Sequence, residues 1–76
     1  MNTMVISDIF NILKEKEVPP VYGVPFCLKL LGEQINGISK RAGVTRGFFY
    51  KALAGERKPN ERMKKELEAL GINPWN

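Results

Sequence analysis

The sequence predicts an all-α fold, a compact bundle of about five short helices. Apolar residues recur at helical spacing in successive stretches, glycine or proline separates these stretches, and no stretch alternates with the two-residue period of a strand. A chain of 76 residues forms one small domain, which buries about 60% of the surface that its unfolded form exposes. Such a domain has little room for a deep cleft, which argues against an elaborate multi-substrate enzyme.

The first predicted helix covers residues 5–17 and is apolar over a wide face. It carries two parallel stripes, Val5, Ile9 and Ile12 in one and Ile6, Phe10 and Leu13 in the other. Together they exceed the roughly 100° that a surface helix needs to pack on its core. Thr3 is the predicted N-cap. Residues 18–25 then contain three prolines and one glycine, so we expect a stiff, extended connector that lies against the body.

Residues 26–76 are predicted to form the body of the domain, beginning with two helices. Pro25 suits the first turn of the earlier one, which Gly32 ends. Its expected core-facing residues are Phe26, Leu28, Leu30 and Leu31. The next helix carries Ile35, Ile38 and Ala42 at helical spacing, and this spacing continues through Asn36 and Gly37.

Two further helices have recognisable caps. Thr45 caps a helix that runs to about Ala54, and Gly55 suits the left-handed position after its end. Asn60 caps a last helix from Glu61 to Leu70, which Gly71 ends. The predicted core residues of these helices are Phe49, Ala52, Leu53, Met63, Leu67 and Leu70, with Ile72, Pro74 and Trp75 folding back on them.

Positive charge is concentrated in one part of the chain. Residues 40–65 hold nine basic side chains against two acidic ones, whereas the whole chain has a net charge of +4. A block of this kind is typical of a surface that meets phosphates, although many solvated helices are also rich in lysine.

Several classes of site are disfavoured by composition. A single cysteine, Cys27, cannot form an intramolecular disulfide, and with no histidine in the chain we expect no metal, no cofactor and no enzymatic activity. Cys27 itself is expected to be a small buried side chain. The chain has no apolar run of membrane-spanning length and no signal-peptide pattern, so we expect no membrane contact and a reducing, cytoplasmic setting.

Residues 33–54 combine two helices with a glycine turn. Ser39 supplies the small residue needed where the helices meet, and Gly43 the left-handed turn. The apolar anchors are Ile38, Ala42, Val44, Phe49 and Ala52. On a helical wheel, the side of the second helix opposite these anchors holds Gly47, Tyr50, Lys51 and Ala54, with Arg46 at its N-terminal rim.

Residues 38–59, with the sequence ISKRAGVTRGFFYKALAGERKP, resemble the helix-turn-helix of the phage lambda repressor and Cro superfamily. The trailing GERKP and a helix closing on Leu-Gly-Ile are also similar to that family and to prophage-borne regulators. The resemblance covers roughly residues 26–75, and segment 1–24 has no obvious counterpart in the family. It implies a lambda repressor-like domain, acting as a sequence-specific regulator of transcription in the bacterial nucleoid or, if phage-encoded, in the host cytoplasm.

The resemblance and the charge pattern together assign candidate contacts to double-stranded DNA. The helix over about 45–54 would enter the major groove. The expected base-contacting residues are Thr45, Arg46, Gly47, Tyr50 and Lys51, and the expected phosphate-contacting residues are Lys40, Arg41, Arg57 and Lys58. Arg46 and Lys51 could instead be ordinary surface charges, and Phe48 favours packing over DNA contact.

Two alternatives to a DNA-binding regulator stay open. The fold could be reused as a protein-interaction module, an adaptor or antirepressor, or it could serve an RNA-binding or architectural role. A regulator of this size is expected to act as a dimer. The surplus apolar face of the first helix would hold the dimer together, through Val5, Ile6, Ile9, Phe10, Ile12 and Leu13. Alternatively, that helix simply completes the core, with its second stripe under Val21 and Tyr22.

Overall fold

The computed structural model describes residues 5–75, and over this range it contains five α-helices and no strand. The predicted all-α fold is therefore confirmed. The helices are α1 (Ile6–Glu15), α2 (Pro20–Leu30), α3 (Ile35–Ala42), α4 (Arg46–Leu53) and α5 (Glu61–Glu68). None of these five helices has the length and apolar character needed to cross a membrane.

The predicted caps of the last two helices are confirmed. The Thr45 hydroxyl accepts a hydrogen bond from the Phe48 N–H at 3.0 Å, and the Asn60 carbonyl oxygen Oδ1 accepts one from the Met63 N–H at 2.7 Å. Each bond satisfies one of the free N–H groups in a first helical turn. The predicted cap Thr3 lies outside the described residues.

All five helices end in the same way. Each is followed by a residue in the left-handed region, and the next N–H bonds back to the carbonyl five residues earlier, as Val18 does to Leu13 at 2.9 Å. Four of the left-handed residues are glycines, which adopt this conformation without strain: Gly32, Gly43, Gly55 and Gly71. The fifth is Glu17, with φ 60°.

The predicted extended connector at residues 18–25 is wrong, because most of it belongs to α2. Pro20 begins the helix, and Pro25 lies inside it, not in its first turn. An internal proline removes one backbone hydrogen bond and costs about 3 kcal/mol or more. Packing offsets that cost, since Val24 is fully buried and a carbon added at Gly23 would lie only 3.6 Å from side-chain carbons of Phe10 and Leu13.

The core joins residues from every helix and from the C-terminal segment. Helix α1 packs on α2, α2 on α4, and α3 on both α4 and α5. The buried apolar residues are Phe10, Val24, Cys27, Leu28, Ile35, Ile38, Ala42, Phe49, Ala52, Leu53, Met63, Leu67 and Ile72. Trp75 folds back as predicted, and its indole N–H donates to the Ala52 carbonyl at 3.2 Å.

Two predictions about apolar residues are corrected by this packing. Of the four residues that were expected to face the core, Leu28 does so, whereas Phe26, Leu30 and Leu31 are exposed, because α2 packs on the core through the side that holds Val24, Cys27 and Leu28. Phe10, expected in a dimer contact, is 2% exposed and belongs to the core. Of the two stripes on α1, only Val5 and Ile12 are left exposed.

Candidate nucleic-acid interface

Helices α3 and α4 are joined by a tight three-residue link. Gly43 has a φ of +74°, and the Val44 N–H closes the end of α3 by bonding to the Ser39 carbonyl at 3.0 Å. A side-chain carbon at Gly43 would lie 3.3 Å from the Arg62 guanidinium, which would need only a small shift, so the left-handed φ is what favours glycine here. Ser39 is buried as expected, at 3% exposed.

Helix α4 presents two chemically different sides. Phe49, Ala52 and Leu53 are buried in the core. The other side presents the five predicted base-contacting residues, of which Tyr50 is half-buried and the others exposed: Thr45, Arg46, Gly47, Tyr50 and Lys51. The structure thus brings this group together at the start and along one side of a single helix.

Arg46 and Tyr50 form a pair on that side. The central carbon of the Arg46 guanidinium lies 5.7 Å from the centre of the Tyr50 ring, within the range of a cation–π contact. This contact orients the arginine before any ligand arrives, which lowers the entropy cost of using its donors. Gly47 beside it has no side chain to obstruct an approaching surface.

Two open recesses flank the N-terminal half of α4. One has a volume of about 280 Å³ and is lined by Lys29, Glu33, Gln34, Ile35, Asn36, Arg46 and Tyr50. The other has a volume of about 450 Å³ and is lined by Asn36, Gly37, Ser39, Lys40, Val44, Thr45 and Arg46. Arg46 and Asn36 border both recesses, so the start of α3 and the start of α4 form one continuous surface of mixed polar and apolar character.

Sequence reasoning missed several members of this surface, among them Lys29, Gln34 and Asn36. Lys29 reaches it only because the C-terminal end of α2 lies beside α4, an arrangement that no local pattern indicates. Asn36 could have been found, since it falls in the first turn of the predicted helix that precedes the turn.

The neighbouring cations Lys40 and Arg41 have different surroundings. Lys40 is exposed and lines the larger recess. Arg41 donates from Nε to Glu66 Oε1 at 2.8 Å and from Nη2 to Glu33 Oε1 at 3.1 Å. These hydrogen bonds, the one with Glu66 first, raise the pKa of Arg41 above its ordinary value. The charge of Arg41 is therefore balanced by two carboxylates of the same molecule, and its hydrogen bond to Glu66 links α3 to α5.

The other two predicted phosphate-contacting residues, Arg57 and Lys58, are exposed in the loop between α4 and α5. They lie outside both recesses, a few residues beyond the end of α4. In residues 5–75 no side-chain hydrogen bond or ion pair engages Arg57, Lys58, Lys40 or Lys51. Their charges are therefore available to an anionic partner.

The side chains brought together here are suited to binding an anionic or polar partner. Its cations, amides, hydroxyl and phenol donate hydrogen bonds to phosphate oxygens and to acceptors on base edges. Glu33, the one carboxylate that borders the recesses, is held by Arg41 at 3.1 Å.

No protein-family model, no curated protein and no solved structure matches this chain. The function proposed below therefore depends on the geometry and charge of its own residues.

Proposed function

We propose that the chain is a sequence-specific double-stranded DNA-binding regulator of transcription, of the lambda repressor and Cro type, in which α3, the turn at residues 43–45 and α4 act as a helix-turn-helix. The observation that carries the proposal is the exposed side of α4. It is free of carboxylates, and it carries Arg46 in cation–π contact with Tyr50. A major groove about 12 Å wide admits a helix presented in this way.

The exposed side of α4 is assigned to the bases. Arg46 and Lys51 supply donors of the kind that pair with guanine, and Thr45 and Tyr50 supply hydroxyl groups. Gly47 lets the helix approach the base edges closely. Each good base contact contributes about 1–3 kcal/mol of discrimination against the wrong base pair.

The flanking cations Lys40, Arg57 and Lys58 are assigned to the phosphates, where they hold the register of the protein on the duplex. Arg41 is assigned to a structural role, because its guanidinium already bonds to two carboxylates.

The proposal is tested by fluorescence anisotropy of a labelled random-sequence duplex, titrated with the chain between about 50 and 200 mM salt. Binding is expected at low salt, and its affinity should fall steeply as salt rises. Lys58→Gln should weaken binding, whereas Lys16→Gln, an equal loss of charge at the end of α1, should leave it unchanged. Absence of binding at low salt would contradict the proposal and leave a protein-interaction module as the function to test.

Sequence specificity needs a second experiment, the selection of bound duplexes from a random pool. The selected pool should converge on one motif, and Arg46→Ala should relax the preference at individual base positions. A pool that never converges would indicate an architectural role.

A further inference from the structure

Helix α2 carries an exposed apolar stripe. Tyr22, Phe26 and Leu30 follow one another at four-residue spacing and are 69%, 52% and 54% exposed. Residues four apart lie side by side along a helix, so the three form one continuous surface, here called the α2 stripe. The core-facing side of the same helix is separate and consists of Val24, Cys27 and Leu28.

We propose that the α2 stripe binds the α2 stripe of a second copy of this chain, with the two helices antiparallel about a twofold axis at Phe26. The spacing is symmetric about Phe26, with an apolar residue four positions before it and another four positions after it. A twofold axis therefore places Phe26 on Phe26 of the second copy, and Tyr22 on Leu30 of the second copy. An interface of this kind must be self-complementary, and the stripe meets that condition.

Charge also favours a second copy. Helix α2 contains no acidic residue, and Lys29 is its one basic residue. In the antiparallel pairing, Lys29 lies beside the Tyr22 ring of the second copy, where a cation–π contact forms. The two Lys29 side chains fall on opposite sides of the axis, so the pairing buries no charge against a like charge.

The size of the stripe determines how strong the contact can be. A whole aromatic side chain offers about 150–250 Å², so the exposed parts of the stripe amount to roughly 300 Å² per copy. Two stripes contribute roughly 600 Å², below the 1,200–2,000 Å² or so of stable complexes and in the range of transient ones. The dimer is therefore weak and forms at high concentration, or when DNA holds two copies on adjacent half-sites.

Helix α1 offers less surface for the same purpose. Phe10 is in the core, and the exposed large apolar residues here are Ile12 and Val5, the residue before α1, which lie seven positions apart. The structure thus moves the expected dimer contact from α1 to α2.

Sedimentation velocity of the full chain without DNA, from about 10 µM to about 1 mM, tests the proposal independently of the proposed function. The sedimentation coefficient should rise with concentration. Phe26→Glu should weaken association about tenfold or more, because it places a charge at the centre of the contact. The control Ile12→Glu, at an exposed apolar position on α1, should associate like the unchanged chain. Circular dichroism verifies that both variants fold, and Tyr22→Lys replaces Phe26→Glu if the latter unfolds.

Disulfide trapping provides a second test. With Phe26→Cys the two new thiols meet at the axis, so mild oxidation should link two copies, whereas Ile12→Cys should link few. Native Cys27 gives no background, because it is fully buried. A chain that stays monomeric at about 1 mM, or association lost with Ile12→Glu and kept with Phe26→Glu, would overturn the proposal. Loss of DNA binding with the dimer intact would contradict only the proposed function.

Discussion

The adjacent cations Lys40 and Arg41 yield the sharpest comparison, because the structure separates two residues that the sequence presents as equivalent. Lys40 is free to meet a phosphate, whereas Arg41 bonds to Glu66 and Glu33. We expect Lys40→Gln to change salt-dependent DNA binding and to leave stability unchanged. We expect Arg41→Gln to lower stability and to leave the salt dependence of DNA binding unchanged.

The magnitude follows from the number of phosphates that are neutralised. Lys40, Arg57 and Lys58 give three contacts and a slope of log affinity against log salt of about −2.7, hence a fall of about 40-fold between 50 and 200 mM. Lys40→Gln should reduce the slope to about −1.8 and the fall to about 12-fold. Arg41→Gln should keep the slope of the unchanged chain.

The assay is fluorescence anisotropy at four or so salt concentrations, with thermal unfolding of each variant measured in parallel. Arg41→Gln should lower the melting temperature, because it leaves Glu33 and Glu66 without their cation. Added salt should reduce the difference in melting temperature between this variant and the unchanged chain. The reasoning is refuted if Arg41→Gln lowers the slope by a full contact while melting normally, or if Lys40→Gln leaves the slope unchanged.

Three further predictions concern stability and are measured by chemical denaturation. Glu17→Gly should raise the unfolding free energy by about 0.5–1 kcal/mol, because a left-handed non-glycine residue costs about 1–2 kcal/mol and glycine's added chain entropy offsets part of the gain; an unchanged value would show that Glu17 is unstrained. Trp75→Phe should lower the unfolding free energy by about 0.5–1 kcal/mol, near the low end of the range for losing one hydrogen bond. The loss is small because the Ala52 carbonyl keeps the hydrogen bond that it accepts from the Gly55 N–H at 3.2 Å. Burial raises the pKa of the Cys27 thiol above its ordinary value of 9.0, so the folded state binds that proton more tightly than the unfolded state. The contribution of Cys27 to stability is therefore full below pH 9.0 and declines as pH rises through the folded-state pKa, a decline that should be absent in Cys27→Ala.

Elements with local signals were predictable from the sequence. Thr45 and Asn60 begin their helices with side-chain caps, and Gly43 and Gly55 end theirs in the left-handed region. Each of these signals acts within a few residues, so it is visible without knowledge of the fold. The exposed side of α4 follows from the same periodicity that identifies its buried side.

The first five residues of α2 were missed because the prolines oppose a helix locally, while the interactions that favour it are distant. Gly23 packs against Phe10 and Leu13 of α1, ten or more positions away in the sequence. The surroundings of Arg41 were missed for the same reason, since Glu66 is 25 residues from it. Residues brought together by tertiary packing therefore account for most of what the sequence did not predict.

The central claim, that α4 enters duplex DNA, is tested most directly by following the backbone amide signals of the ¹⁵N-labelled chain as a duplex is added. We expect the largest shift changes at residues 45–51 on α4, with further changes at Lys40, Arg57 and Lys58. Signals of α1 should stay in place. No shift change at low salt, or changes confined to α1 and α5 while residues 45–51 are unaffected, would contradict the claim.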